Sequence, residues 1–133
     1  SKTLEDAVFT YEKIQLTRKK DIRFGNWVAV TKSTNDIIGW FCLKDMDNTP
    51  TIEVGYRLLF DYWGNGYATE GARKLIKYGF TKCNLQTIAG VTHPLNFRSQ
   101  HALLKCGLTF KRKDFIYETD VYYYEINKAD TII

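Results

Sequence analysis

Two residues without side chains, Gly64 and Gly66, sit on either side of Asn65 where the apolar pattern of the chain changes period. Upstream, Thr51 to Leu58 alternates: Ile52, Val54 and Tyr56 point one way, while Glu53, Gly55 and Arg57 point the other. Downstream, Ala68, Ala72, Leu75, Ile76 and Gly79 recur at helical spacing over about Tyr67 to Thr81. Glu70, Arg73, Lys74 and Lys77 fall on the expected solvent side, with Glu70 and Lys74 an i,i+4 pair. Glycine lets the backbone turn with positive φ and lets a ligand come close. A helix beginning there leaves its first N–H groups unpaired and carries about half a positive charge at that end. Strand, glycine turn and helix start together make a seat for a phosphate or pyrophosphate. On spacing alone, a tight turn without a ligand fits as well. A Walker A loop is excluded because Gly-x-x-x-x-Gly-Lys-Ser/Thr is absent. A dinucleotide fingerprint is excluded because Gly71 is off its spacing and no acid follows near position 91.

With 133 residues, the chain is expected to form a single domain, 1–133. No apolar run approaches the roughly 20 residues of a membrane span and no signal-peptide pattern opens it, so a cytoplasmic protein without membrane contact is expected. Cys42, Cys83 and Cys106 are scattered and read as reduced, packed thiols. His93 and His101 have no partner at metal-ligand spacing; no metal site is expected, and they read as loop and core residues. The net charge of +4 is uneven: residues 71–133 hold ten basic and five acidic side chains. That half would attract an anion, small or polymeric.

In chain order, Thr3 to about Lys19 reads as a helix, with Thr3 as N-cap, Asp6 three residues on, and Leu4, Ala7, Val8, Tyr11 and Ile14 at helical spacing. Arg18, Lys19 and Lys20 then favour its C-terminal end. Strands follow at Trp27 to Val30, Ile37 to Lys44 and Thr51 to Leu58, joined by polar turns as an antiparallel meander. Gln86 to Thr92 reads as a buried strand beside the last of these. Asn96 is placed to cap a helix from Phe97 to Lys105, which Gly107 ends. Leu108 to Phe115 and Val121 to Asn127 form a hairpin around Tyr117 to Asp120. Tyr122, Tyr123 and Tyr124 alternate faces, so at least one belongs to the core.

This order, with four local patterns, resembles the Gcn5-related N-acetyltransferase (GNAT) family, and within it the RimJ/RimL-like branch. The patterns are Glu53-Val54-Gly55-Tyr56, Trp63-Gly64-Asn65-Gly66-Tyr67-Ala68-Thr69-Glu70, Asn96-x-x-Ser99, and Lys105-Cys106-Gly107-Leu108. The resemblance implies an α+β, three-layer fold: a mixed, mostly antiparallel sheet flanked by helices. It implies transfer of an acetyl group from acetyl-CoA to a primary amine, on a protein N-terminus or a small molecule, through a tetrahedral intermediate. Trp63 stands where the wider family has Gln or Arg, as is common in this branch. Gly71 replaces a frequent Ala and is expected to cost about 0.5–1 kcal/mol of helix stability. The chain begins at what reads as the family's second helix, so it is expected to lack the usual first strand and helix, as an incomplete or shortened member. The strand at Trp27 would then expose an edge, and self-association, as a homodimer, is expected there.

The residues expected to hold acetyl-CoA are Trp63, Gly64, Asn65, Gly66, Tyr67, Ala68 and Thr69 at the pyrophosphate, and Arg57, Leu58 and Leu59 along the pantetheine arm. Asn96 and Ser99 meet its amide and sulfur. The Leu58 N–H could stabilise the oxyanion, and positioning supplies much of the rate. The attacking amine must be neutral, and a lysine-type amine at pKa 10.4 is harder to deprotonate than an α-amino group near 8 by about 3.3 kcal/mol. Glu53, acting through water, is the candidate base, against a surface glutamate paired with Arg57. Ser99 is the candidate acid for the departing thiolate, ahead of Tyr67 and Tyr122 to Tyr124. Arg73, Arg98 and Lys105 could reach CoA phosphates. Two alternatives stand beside the enzyme. One is a non-catalytic acyl-CoA-binding or regulatory domain on the same fold. The other, weaker because the tyrosines alternate faces, is a nucleic-acid module on Lys111-Arg112-Lys113 and the tyrosine strand.

Overall fold

Alternation of large apolar residues with polar ones builds most of this molecule, as seen in the computed structural model, which describes residues 7–12, 25–47 and 49–131. The strands are β1 (Ala7–Glu12), β2 (Gly25–Thr31), β3 (Ile37–Asp45), β4 (Ile52–Leu58), β5 (Thr87–Thr92), β6 (Thr109–Ile116) and β7 (Thr119–Asn127). They form one mixed sheet in the order β1-β2-β3-β4-β5-β7-β6, in which only the β4–β5 pair is parallel. Two α-helices, α1 (Tyr67–Thr81) and α2 (Phe97–Lys105), pack against it and against each other.

The inward residues of β2, β3 and β4, Trp27, Ala29, Phe41, Leu43, Ile52 and Val54, meet Ala72, Leu75, Ile76 and Phe80 of α1 in the main core. On the opposite parity, Met46, Ala89 and Tyr123 form a second cluster with Val91 and Ile116. Tyr123 and Tyr124 therefore bury opposite sides of β7, each about 4% exposed. That leaves neither ring to stack on a nucleic-acid base.

Five expectations change. The first segment is not helical where it is described: Ala7–Glu12 is a strand, antiparallel to β2 from Ala7↔Thr31 to Glu12↔Asn26. Val8-Phe9-Thr10-Tyr11 are β-branched or aromatic, and the unfilled edge of β2 decides between two patterns that the sequence satisfies equally. The β2 edge expected to drive self-association is thus covered by β1. The expectations for Thr3, Leu4, Asp6, Ile14, Arg18, Lys19 and Lys20 lie outside the described residues.

Glu70, expected in solvent, is 4% exposed, although the Lys74 ammonium does reach it at 3.4 Å. His101 lies exposed on α2, not in the core. At Gly71 the ring of Phe41 fills the space beside the helix, and a Cβ there would collide with Phe41 Cε2 and Cζ. Glycine at this position is a packing requirement that outweighs its helix-propensity cost.

Candidate active-site cleft

β4 and β5 share a single register pair, Glu53↔Ala89. Past that bridge, the ends of the two strands are no longer laddered to each other, and a cleft of about 1080 Å³ opens there. One wall is the end of β4 and the start of the short 3-10 turn beyond it, from Tyr56 to Phe60; the other is the loop after β5 and the start of α2. The glycine turn and the first turn of α1 close it.

The turn is built as its composition demands. Gly64 and Gly66 have φ of 81° and 82°, and a Cβ on Gly64 would meet nothing within 4 Å, so the first glycine is needed for its backbone angle and not for room. Gly66 is the N-cap of α1 and offers no side-chain acceptor, so no cap side chain competes for the first-turn N–H groups. The Asn65 amide braces the turn by donating to the carbonyls of Tyr62 and Trp63, at 3.4 and 3.3 Å. The Trp63 indole N–H donates to the Leu58 carbonyl at 3.1 Å, its ring meets Phe60 edge-on at 4.9 Å, and the Arg98 guanidinium lies 5.4 Å from it. Trp63 thereby joins the β4 wall to α2.

On the α2 side, Asn96 Oδ1 accepts from the Ser99 N–H at 3.0 Å, the capping bond its position promised. At the other end, the Gly107 N–H bonds the Leu104 carbonyl at 3.0 Å and the Leu108 N–H bonds Leu103 at 3.1 Å, a Schellman ending on a glycine with φ of 97°. Arg73 donates to the Lys105 carbonyl at 2.9 Å and so ties α1 to α2. Ser99 is half-buried, its Oγ 3.2 Å from the Tyr56 hydroxyl, a long contact for two hydroxyls. Burial raises the Tyr56 phenol above its ordinary value, so it stays protonated at neutral pH.

Of the residues named from sequence for the cofactor, Arg57, Leu58, Leu59, Trp63, Gly64, Gly66, Tyr67, Ala68, Thr69, Asn96 and Ser99 line this cleft; Asn65 is not among the lining residues and braces the turn instead. Arg98, Lys105, His93 and His101 also line it. His93 Nδ1 accepts from the Leu95 N–H at 3.1 Å. Glu53 is not among the lining residues. It leaves β4 on the other face, 4% exposed, and accepts a hydrogen bond from the Tyr117 hydroxyl. Lys44 Nζ is 4.0 Å away, so its partners are Tyr117 and Lys44 in place of Arg57. Burial pushes the Glu53 carboxyl above the usual range, the Tyr117 bond and the Lys44 charge pull it down, and Asp47 adds to the rise.

Sequence reasoning missed Tyr56 and Tyr117. Tyr56 read only as an inward apolar residue, and its hydroxyl gains meaning from Ser99, 43 residues away. Tyr117 lies in a turn 64 residues from Glu53, with no local signal linking them. Burial lifts the thiols of Cys42 and Cys106 to about 11, so neither is a thiolate nucleophile at neutral pH. Among the described residues, no helix is long and apolar enough to cross a membrane, and no group of three or more His, Cys, Asp or Glu is gathered around a metal-sized space.

Residues 1–109 match the family model described as Acetyltransferase (GNAT) domain. The FsC-acetyl coenzyme A-N(2)-transacetylase of Aspergillus fumigatus is 33% identical over 94 residues, covering 65% of this chain and 39% of that protein. Among solved structures, a GNAT-family acetyltransferase from Bacillus anthracis superposes with a TM-score of 0.71 at 25% identity, covering 84% of this chain and 70% of that one. Mycobacterium smegmatis RimJ, solved in complex with CoA-disulfide, shares the fold with a TM-score of 0.71 at 17% identity, covering 81% and 55%. The chain spans 39%, 66% and 61% of the length of three curated relatives it matches.

Proposed function

The chain belongs to the GNAT acetyltransferase family, and on that premise we propose that it moves an acetyl group from acetyl-CoA to a primary amine, as a RimJ/RimL-like N-acetyltransferase acting on a protein N-terminus or a small molecule. The observation that carries this reading is the cleft itself. A helix start with no side-chain cap, behind two left-handed glycines, faces across one cavity a half-buried tyrosine–serine hydroxyl pair. The residues present fit the cosubstrate. The N–H groups at the start of α1 suit a pyrophosphate. Arg98 and Lys105 add positive charge at the rim, and the end of β4 offers main-chain groups to an amide-bearing arm.

In this reading the amine nitrogen attacks the thioester carbonyl, whose oxygen gains charge beside main-chain N–H groups at the end of β4, that of Leu58 first. The C–S bond breaks and the thiolate takes a proton from Ser99 Oγ, which lies within reach of the Tyr56 hydroxyl as a second donor. For the proton lost by the amine to pass through water to Glu53, the acceptor must approach from the sheet face opposite α1, the face on which that carboxyl lies. The name of the fungal relative, an acetyl-coenzyme A N-transacetylase, agrees with an amine acceptor.

Release of free CoA thiol, followed against a panel of amines and N-terminal peptides, tests this directly. Wild type should turn over at least one acceptor, and Ser99→Ala should lower kcat by about 10²-fold with little change in CoA affinity. Tight CoA binding with no turnover on any amine would establish the non-catalytic alternative. Failure of CoA to bind at all would remove both.

A further inference from the structure

On the sheet face away from α1, the tip of the β6–β7 hairpin is fastened down at a conformational cost. Tyr117 and Glu118 have φ of 60° and 59°, left-handed values that a bulky aromatic residue rarely adopts. Two bonds hold Tyr117 there. Its N–H donates to Asp47 Oδ2 at 2.9 Å, in the turn between β3 and β4, and its hydroxyl donates to the Glu53 carboxylate. Lys44 Nζ lies 5.0 Å from the Tyr117 ring centre and also approaches Glu53. A strained turn held by contacts to two other elements points to a role beyond joining two strands.

We propose that Tyr117 is a positioning residue whose hydroxyl fixes the orientation and the protonation of the Glu53 carboxylate. Glu53 is nearly sealed from solvent, so its readiness to accept a proton depends on the groups facing it. These are Tyr117 from the hairpin tip, Lys44 and Cys42 from β3, and Asp47 from the following turn; β5 presents uncharged Ala89 opposite Glu53. Among them, Tyr117 gives the largest support to the charged form and Lys44 the next, both working against burial. Deleting the hydroxyl leaves burial less opposed, and the carboxyl should hold its proton to higher pH. The consequence for turnover rests on the reading of Glu53 as the base.

The test is the carboxyl carbon-13 titration of Glu53 in wild type and Tyr117→Phe, with Asp47→Ala as a second variant that frees the hairpin tip and leaves the hydroxyl in place. The Glu53 midpoint should rise by about one pH unit in Tyr117→Phe, a tenfold change in proton affinity, and should not rise in Asp47→Ala, which removes a charge that itself holds the carboxyl up. A midpoint unchanged or lowered in Tyr117→Phe overturns the proposal. The acidic limb of kcat/KM, measured alongside, should move with the midpoint in Tyr117→Phe. A midpoint that moves under a fixed limb upholds Tyr117 as the clamp and removes Glu53 as the base. Loss of the limb in Glu53→Gln, with wild-type and Tyr117→Phe midpoints coinciding, keeps the base and discards the clamp.

Discussion

The buried carboxyl of Glu53 ties the stability of the fold to pH. Its carboxyl in the folded protein is raised above the ordinary glutamate value, chiefly by burial. Between the unfolded value near 4.3 and that raised value, the native state binds more protons than the unfolded one, so stability falls as pH climbs through the window and stays lower above it. Glu53→Gln removes the charge and keeps an acceptor for Tyr117. Thermal denaturation should therefore find the variant more stable than wild type at pH 7, with the gap closing at pH 4 and below. At the same time its acetyl transfer should fall. A variant equally stable at both pH values would mean that the burial penalty is already cancelled by Lys44 and Tyr117.

Among the elements, α1 shows where sequence patterns suffice and where they fail. Its limits, its glycine start and the Glu70–Lys74 pair follow from residues 64 to 81 alone, because capping and periodicity are local. The burial of Glu70 and the fit of Gly71 against Phe41 do not, because both depend on side chains brought in by tertiary packing. β1 failed for a related reason. Val8 to Tyr11 satisfy a helical and an extended pattern alike, and the edge that settles the matter lies twenty residues or so further on. The cleft was legible as a glycine turn, an asparagine cap and a serine. It was not legible as a hydroxyl pair, since strand parity gives a direction and not a partner. Gly71→Ala measures the difference. Helix propensity favours alanine by about 0.5–1 kcal/mol, whereas forcing a methyl into a filled core costs about 1–3 kcal/mol. Urea denaturation should find net destabilisation, relieved when Phe41→Leu is added. Two independent effects that simply add would count against the packing explanation.

Across the whole molecule, the lone Glu53↔Ala89 pair has a mechanical consequence. Among the described residues the strands divide into two leaves, β1 to β4 and β5 to β7, joined along one short seam with α1 laid across it. A ligand in the gap touches the free margin of each leaf at once. Coenzyme A at about 100 times its Kd should then add about 2.7 kcal/mol to the folded state. Hydrogen exchange should slow together at Tyr56 to Leu59 and at Asn96 to Ser99, although these segments belong to different leaves. Slowing confined to one of them would show that the leaves open independently. If they do move as one, the cosubstrate is a clasp as well as a reagent, and opening the binding to release the spent half also loosens the page on which the next acceptor must lie.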